Sequence, residues 1–260
     1  MINIKTQENK KLAFQFHNTR DFFSKNSFSE NTTFVYDPYN FSNMIIPQPE
    51  EEYHTLIEIQ NQDVLDMAKL HVSYGLNPVI LNFASKILPG GGVKRGASSQ
   101  EEDIYRRTNL FQSVNKENCL YPLESVVYSS NLYVAKDTKG DFLREPFSIS
   151  CISAAAPRWP SILRIKGREV FHNRDDLDYV YNCIETIFKL AIINGHNSII
   201  LGAWGCGAYE GPRHQIAELF NDAVKKYKKY FCIIGFPILV RPQNKRDQEN
   251  YLIFKKYLLR

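Results

Sequence analysis

The chain has 260 residues, 32 basic against 28 acidic, for a formal net charge of +4, with 43% hydrophobic residues. That length suits one large domain with a sizeable core, and the mild positive excess fits an anionic ligand without requiring nucleic acid. No run approaches the ~18 apolar residues of a membrane span, and the amino terminus lacks the apolar core of a signal sequence.

Five cysteines, Cys119, Cys151, Cys183, Cys206 and Cys232, are widely spaced with no CxxC pair, so a reducing, cytoplasmic setting is expected rather than a disulfide framework. Six scattered histidines form no HxxxH or HExxH spacing, and no metal site or cofactor is expected.

Residues 1–52 are rich in Asn, Phe, Tyr and Ser. Within them KKLAFQFHNTRDFFSK predicts a helix burying Leu12, Phe16 and Phe23. Asp37-Pro38 and Pro47-Gln48-Pro49 break up the stretch after that helix. Glu50-Glu51-Glu52 marks a boundary before a main domain at 53–260, the two parts together forming one structural unit. From Thr55 the pattern sharpens. TLIEIQ alternates as a strand, Asn61 or Asp63 can cap a helix VLDMAKLHV, and Asn77-Pro78 leads into an apolar strand Val79–Leu81, completing a β-α-β unit.

Polar Asn82 and Ser85 stand at the carboxyl end of that strand, where chemistry is expected to begin. Gly90, Gly91 and Gly92 permit positive φ and let a ligand approach the backbone. Ser98 or Ser99 can then cap a helix that opens with Gln100, Glu101 and Glu102. Acidic residues in a first turn are favoured by the helix dipole, so the two glutamates have a structural explanation as well as a chemical one.

Candidate strands come next at Val126–Tyr128, Asn131–Ala135 and Phe147–Ser153. The last runs into Ala154-Ala155-Ala156, small enough for a ligand or a helix to come close, and Arg158-Trp159-Pro160 is a candidate pocket lining. Asp175 and Asp176 open a long helix with Leu177, Val180, Tyr181, Ile184, Ile187, Phe188 and Ala191 as its core stripe. A buried strand Ser198–Leu201, a helix Arg213–Tyr227, a strand Phe231–Ile234 and a final helix in RDQENYLIFKKYLLR complete the chain. Lys225-Lys226-Tyr227-Lys228-Lys229 is read as a solvated helix face. The alternation predicts an open three-layer α/β/α sandwich.

Between Leu201 and Arg213 lies GAWGCGAYEGP, a strand–loop–helix turn whose glycines can aim backbone N–H groups at one anion, with a helix dipole behind them. Its spacing is neither GxxxxGK[ST] nor GxGxxG, which disfavours a nucleoside triphosphatase or a standard dinucleotide dehydrogenase. Tyr209 is either a packed tyrosine or a ligand contact, and Cys206, with no base beside it, reads as a small filler.

GGG, seven residues and then QEE, within NFASKILPGGGVKRGASSQEE, resembles the signature of the microbial (bacterial-type) poly(ADP-ribose) glycohydrolases; GAWGCG resembles the diphosphate-binding loop of the macrodomain fold to which they belong. The resemblance runs from about Thr55 to about Val240, and it implies a macrodomain-like α/β/α sandwich with a mixed central sheet and a mainly helical N-terminal appendage. It implies cleavage of the ribose–ribose O-glycosidic bonds of poly(ADP-ribose), with Glu102 as general acid and base, Glu101 on the ribose hydroxyls and Gln100 holding the segment. It implies substrate contacts from Asn82, Ser85, Gly90, Gly91, Gly92 and Gln100 on one side and Ala203, Gly205, Cys206, Gly207, Ala208 and Tyr209 on the other, both glycine turns gripping the diphosphate. Two neighbouring carboxylates beside that diphosphate would raise at least one pKa by repulsion. The substrate is expected attached to protein, with no direct nucleic-acid or membrane partner. The same residues would also serve a mono-ADP-ribosyl hydrolase, acting on modified protein or nucleic acid, or a non-catalytic ADP-ribose reader.

Overall fold

The computed structural model describes residues 4–114 and 124–259; Cys119 lies outside them. The chain opens with helix α1 (Ile4–Lys25), strand β1 (Thr33–Tyr36) and the short α2 (Pro38–Phe41), where Asp37 is the N-cap and Pro38 the first helical residue. The β-α-β unit is formed by β2 (Leu56–Gln60), α3 (Val64–Ser73) and β3 (Pro78–Phe83), with Asp63 as the α3 cap. Asn61 instead accepts from Val240 N at 2.8 Å.

Next come the 3-10 turn Val93–Arg95, α4 (Gln100–Arg107), α5 (Leu110–Ser113), β4 (Val126–Lys136) and β5 (Phe142–Ala154). A small hairpin, β6 (Ile162–Ile165) and β7 (Arg168–Phe171), precedes α6 (Arg174–Ile193), β8 (Ser198–Ile200), α7 (Arg213–Tyr227), β9 (Ile233–Pro237) and α8 (Lys245–Leu258).

The central sheet is mixed, in the order β1-β4-β5-β3-β8-β9-β2. Its five strands from β5 to β2 are parallel, and β4 and β1 extend it antiparallel. Alternation along the strands sorts their side chains between two cores. Val79, Leu81 and Ile199 face α6, α7 and α8, whereas Ile80, Val127 and Ile200 face α1, α3 and α4. The result is the expected α/β/α sandwich. Among the described residues no helix is long and apolar enough to cross a membrane.

Four features depart from expectation. The first 52 residues are helical over α1, yet they also supply β1, which pairs with β4. The two strands expected between Val126 and Ala135 are one, β4, carried through an irregularity between Ser129 and Leu132 by Asn131 at φ 52°. The β6–β7 hairpin is an addition to the expected elements. In α6, Tyr181 is 47% exposed while Tyr179 is buried, so the buried stripe is centred on Tyr179, Cys183 and Ile187.

Candidate active site

Strand β3 pairs with β5 as far as Phe83, but on its other edge pairing with β8 stops at Ile80 and a side chain takes over. Gln100 accepts from Phe83 N at 2.8 Å and donates to Leu81 O at 2.7 Å, a two-point clasp that docks the first turn of α4 on the strand end. Farther along α4, Arg107 pairs with Asp63 (2.7 Å), Asp103 (2.9 Å) and Asp66 (3.1 Å), tying α4 to the cap of α3. Thr19 of α1 donates to Arg106 O. The helix that carries the two glutamates is therefore held at both ends.

Both carboxylates point into the glycine turn. Glu101, 4% exposed, accepts from Ser85 N (2.9 Å) and Gly90 N (3.0 Å). Glu102, 6% exposed, accepts from Gly92 N (2.8 Å) through one oxygen and from Ser99 N (3.1 Å) and the Ser99 hydroxyl through the other. Ser99 is the N-cap and Glu102 completes a capping box. The structural and the chemical explanations of Glu102 thus share one residue. A carboxylate offers about four lone-pair sites, and the three donors found among the described residues occupy three of them.

The fit of turn to acids is tight. Gly91 sits at φ +52°, and a Cβ there would stand 2.3 Å from a Glu102 oxygen and 3.2 Å from a Glu101 oxygen. Only glycine combines that backbone with that proximity. Gly91 N donates to Leu88 O at 2.8 Å, so all three glycine N–H groups are engaged within the protein. Two of these amides hold the carboxylates and the third a backbone carbonyl, where the resemblance implies a grip on the diphosphate. Ser85 Oγ accepts from Leu88 N at 3.3 Å and closes the approach to the turn.

Burial pushes the Glu101 carboxyl up to about 8, with the charge of Glu102 adding to the rise and the N–H groups of Gly90 and Ser85 opposing it. The expected repulsion is present, but desolvation is the larger cause. Asn82, buried beside Glu101, donates to Ser153 Oγ at 3.0 Å while its own carbonyl oxygen is unpartnered among the described residues.

The second turn stands at the end of β8, which lies next to β3. Its anchor is Trp204, which in the sequence is one apolar residue among many. It is fully buried, and its indole donates to Ala154 O at 2.8 Å. Gly202 packs on the Phe83 ring, where a Cβ would come within 2.8 Å, and Gly205 packs on Ala156, where one would come within 2.9 Å. The smallness of Ala156 therefore serves the loop itself. Cys206 is buried, with its thiol held well above the ordinary range by desolvation, and its carbonyl accepts from Asn250 at 3.4 Å. Gly207 and Ala208 are exposed, and Trp159 straps this stretch down by donating to Tyr209 O (2.8 Å) and Ala208 O (3.2 Å). The N–H groups of Ala203, Gly205, Gly207, Ala208 and Tyr209 have no partner among the described residues. Tyr209 OH accepts from Lys86 N at 3.3 Å and joins the two turns. Among the described residues no cluster of three His, Cys, Asp or Glu side chains is placed to hold a metal ion.

Comparison with known proteins agrees with this geometry. The chain is similar in structure to the poly(ADP-ribose) glycohydrolase of Thermomonospora curvata bound to the inhibitor ADP-HPD, with a TM-score of 0.75 and 20% identity over 95% of this chain and 99% of that one. It is also similar to the Deinococcus radiodurans enzyme in complex with ADP-ribose, with a TM-score of 0.71 and 20% identity over 87% and 94%. At that identity the likeness is one of fold. No curated protein sequence matches the chain. The sequence does match the microbial-type PARG catalytic domain over residues 8–138, a span that takes in most of α1, both glutamates and β4. The protein therefore belongs to the microbial-type poly(ADP-ribose) glycohydrolase catalytic-domain family.

Proposed function

We propose that the protein hydrolyses the ribose–ribose O-glycosidic bonds of poly(ADP-ribose) and releases ADP-ribose. The observation that carries this reading is Glu102, held by three donors found among the described residues, at the turn that Tyr209 joins to a loop of unspent amides. Cleavage passes through an oxocarbenium-like state, and the departing ribose oxygen needs a proton. Glu102 supplies it, then as carboxylate takes a proton from the attacking water. Glu101, whose raised pKa keeps it protonated near neutrality, is suited to donate to a ribose hydroxyl.

Gln100, Ser85 and Gly90–Gly92 position the acids, with Asn82 alongside. The diphosphate falls to the loop 203–209, whose free amides and helix dipole favour an anion, and Tyr209 packs against the ribose. Residues 1–52 and 53–260 act as one unit. The substrate is polymer attached to protein, without direct nucleic-acid binding. The free thiols of Cys151, Cys183, Cys206 and Cys232 suit a reducing, cytoplasmic setting.

Product analysis after incubation with poly(ADP-ribose) is the test. Free ADP-ribose is the expected product, and unchanged polymer would overturn the assignment. Turnover of mono-ADP-ribosylated protein in preference to polymer would move the activity to a single-unit hydrolase.

A further inference from the structure

The fold places a basic groove next to the glycine turn that holds Glu102. Helix α1 and the turn Val93–Arg95 face each other across a cleft of about 320 Å³ lined by Thr6, Asn9, Lys10, Ala13, Lys94 and Arg95. Lys10, Lys94 and Arg95 are exposed and make no ion pair among the described residues. The walls of the cleft are fixed by close packing. Gly96, at φ +76°, lets the turn close on α1 so tightly that a Cβ there would stand 1.9 Å from Asn9 O. With its amide oriented to satisfy its neighbours, Asn9 donates to Gly96 O at 3.3 Å.

The groove borders the acid directly. A Cβ on Gly92 would lie 3.6 Å from an Arg95 guanidinium nitrogen and 3.7 Å from a Glu102 oxygen, so cation and acid flank the same glycine. The two anion-compatible regions lie on opposite layers of the sandwich. Trp204 and Cys206 of the second loop pack with α6, α7 and α8, while Phe16 of α1 and Val93 pack in the other core. Glu102 holds Gly92 at the edge of the groove, and Tyr209 ties Lys86, just ahead of that turn, to the second loop.

We propose that this groove receives the diphosphate of the polymer unit on the leaving side of the scissile bond, so that Lys10, Lys94 and Arg95 favour polymer over single ADP-ribose units. The inference rests on the glycohydrolase reading. The unit whose anomeric carbon reacts is gripped at loop 203–209, and the leaving oxygen belongs to the next unit, whose charge continues past Glu102 toward α1. Exposed cations act on such a polyanion mostly through long-range attraction, which salt screens.

The test uses the double substitution Lys10→Gln, Lys94→Gln, placed both in the active protein and in a Glu102→Gln background. Binding of size-fractionated poly(ADP-ribose), ADP-ribose and single-stranded DNA is measured across a salt series with the Glu102→Gln proteins. Polymer affinity is expected to fall about tenfold at low salt, with a shallower salt dependence and ADP-ribose affinity within about twofold. In the active protein the loss should appear in KM for polymer rather than in kcat. An unchanged polymer affinity, or a loss shared equally by ADP-ribose or by DNA, overturns the proposal. Wild-type protein that releases no ADP-ribose would count against the hydrolase reading alone, because the binding comparison is decided without turnover.

Discussion

The turn after β3 spends all three of its glycine N–H groups inside the protein, two of them on Glu101 and Glu102, whereas the loop after β8 leaves the N–H groups of Gly205, Gly207, Ala208 and Tyr209 unspent among the described residues. Both are glycine-rich, and both close a strand of the same parallel pair. They differ in what their backbones face. In the first, carboxylates crowd Gly91, while Gly90 is crowded by the Tyr105 ring and Gly92 by Ala97. In the second, Gly202 and Gly205 are crowded by Phe83 and Ala156, and Gly207 stands in open space, where an added Cβ would meet nothing within 4 Å. One turn positions acids and the other offers amides, a division that glycine count does not reveal.

The largest effect should come from Glu102→Gln, which removes the exchangeable proton while a glutamine at the third position of a capping box can still accept from Ser99 N. Release of ADP-ribose from polymer should fall by a factor on the order of 10² or more, with ADP-ribose affinity by calorimetry retained and a modest loss of thermal stability, because the new amide nitrogen faces the N–H of Gly92. Near-wild-type release would remove Glu102 from the chemistry.

Glu101 makes the next comparison, through pH. Its pKa is raised in the folded protein from 4.5 to about 8, so the stability it contributes is fully present below pH 4.5 and is lost as pH rises toward 8. Denaturant titrations across that window should show a decline of roughly 4–5 kcal/mol that Glu101→Gln abolishes. The substituted protein should be less stable at low pH, because its amide nitrogen faces the N–H of Gly90 or Ser85. A parallel pH profile for both proteins would contradict the burial argument.

Alanine at two glycines then separates the turns. Gly91→Ala forces a side chain onto a left-handed backbone against Glu102, and should cost about 1–3 kcal/mol in chemical denaturation together with most of the hydrolysis. Gly207→Ala, with open space around it, should change stability by less than about 0.5 kcal/mol, yet weaken ADP-ribose binding several-fold by placing a methyl before the amides. If both variants lose stability alike, or if Gly207→Ala binds normally, the division of labour between the turns fails.

Much of the fold is legible in the sequence because apolar periodicity is strong where an element has a well-buried face. The β2-α3-β3 unit, α6 and the helix at Arg213–Tyr227 all emerge from it. Strand β1 does not, since it is four residues at the sheet edge, partly exposed throughout, with no alternation to read. The β6–β7 hairpin turns on Lys166 at φ 50° and Gly167 at φ 78°, and a lysine in the first of those positions is a poor turn signal. Tyr181 lies at helical spacing from core residues and is still exposed, because a helix packed on several sides has a buried arc whose centre depends on neighbours distant in sequence.

For the site, the sequence by itself determined the inventory: two adjacent acids, two glycine turns about a hundred residues apart, and strands that bring both turns to one end of a sheet. Only the tertiary structure decided the direction of the backbone amides and the partners of the acids. Three consecutive glycines allow many backbone paths at similar energy, and the docking of α4 through Gln100 and Arg107 selects one of them. It likewise decided that the first fifty residues supply an edge strand and a wall beside Glu102, because the contact between Gly96 and Asn9 joins segments whose local sequence carries no sign of each other.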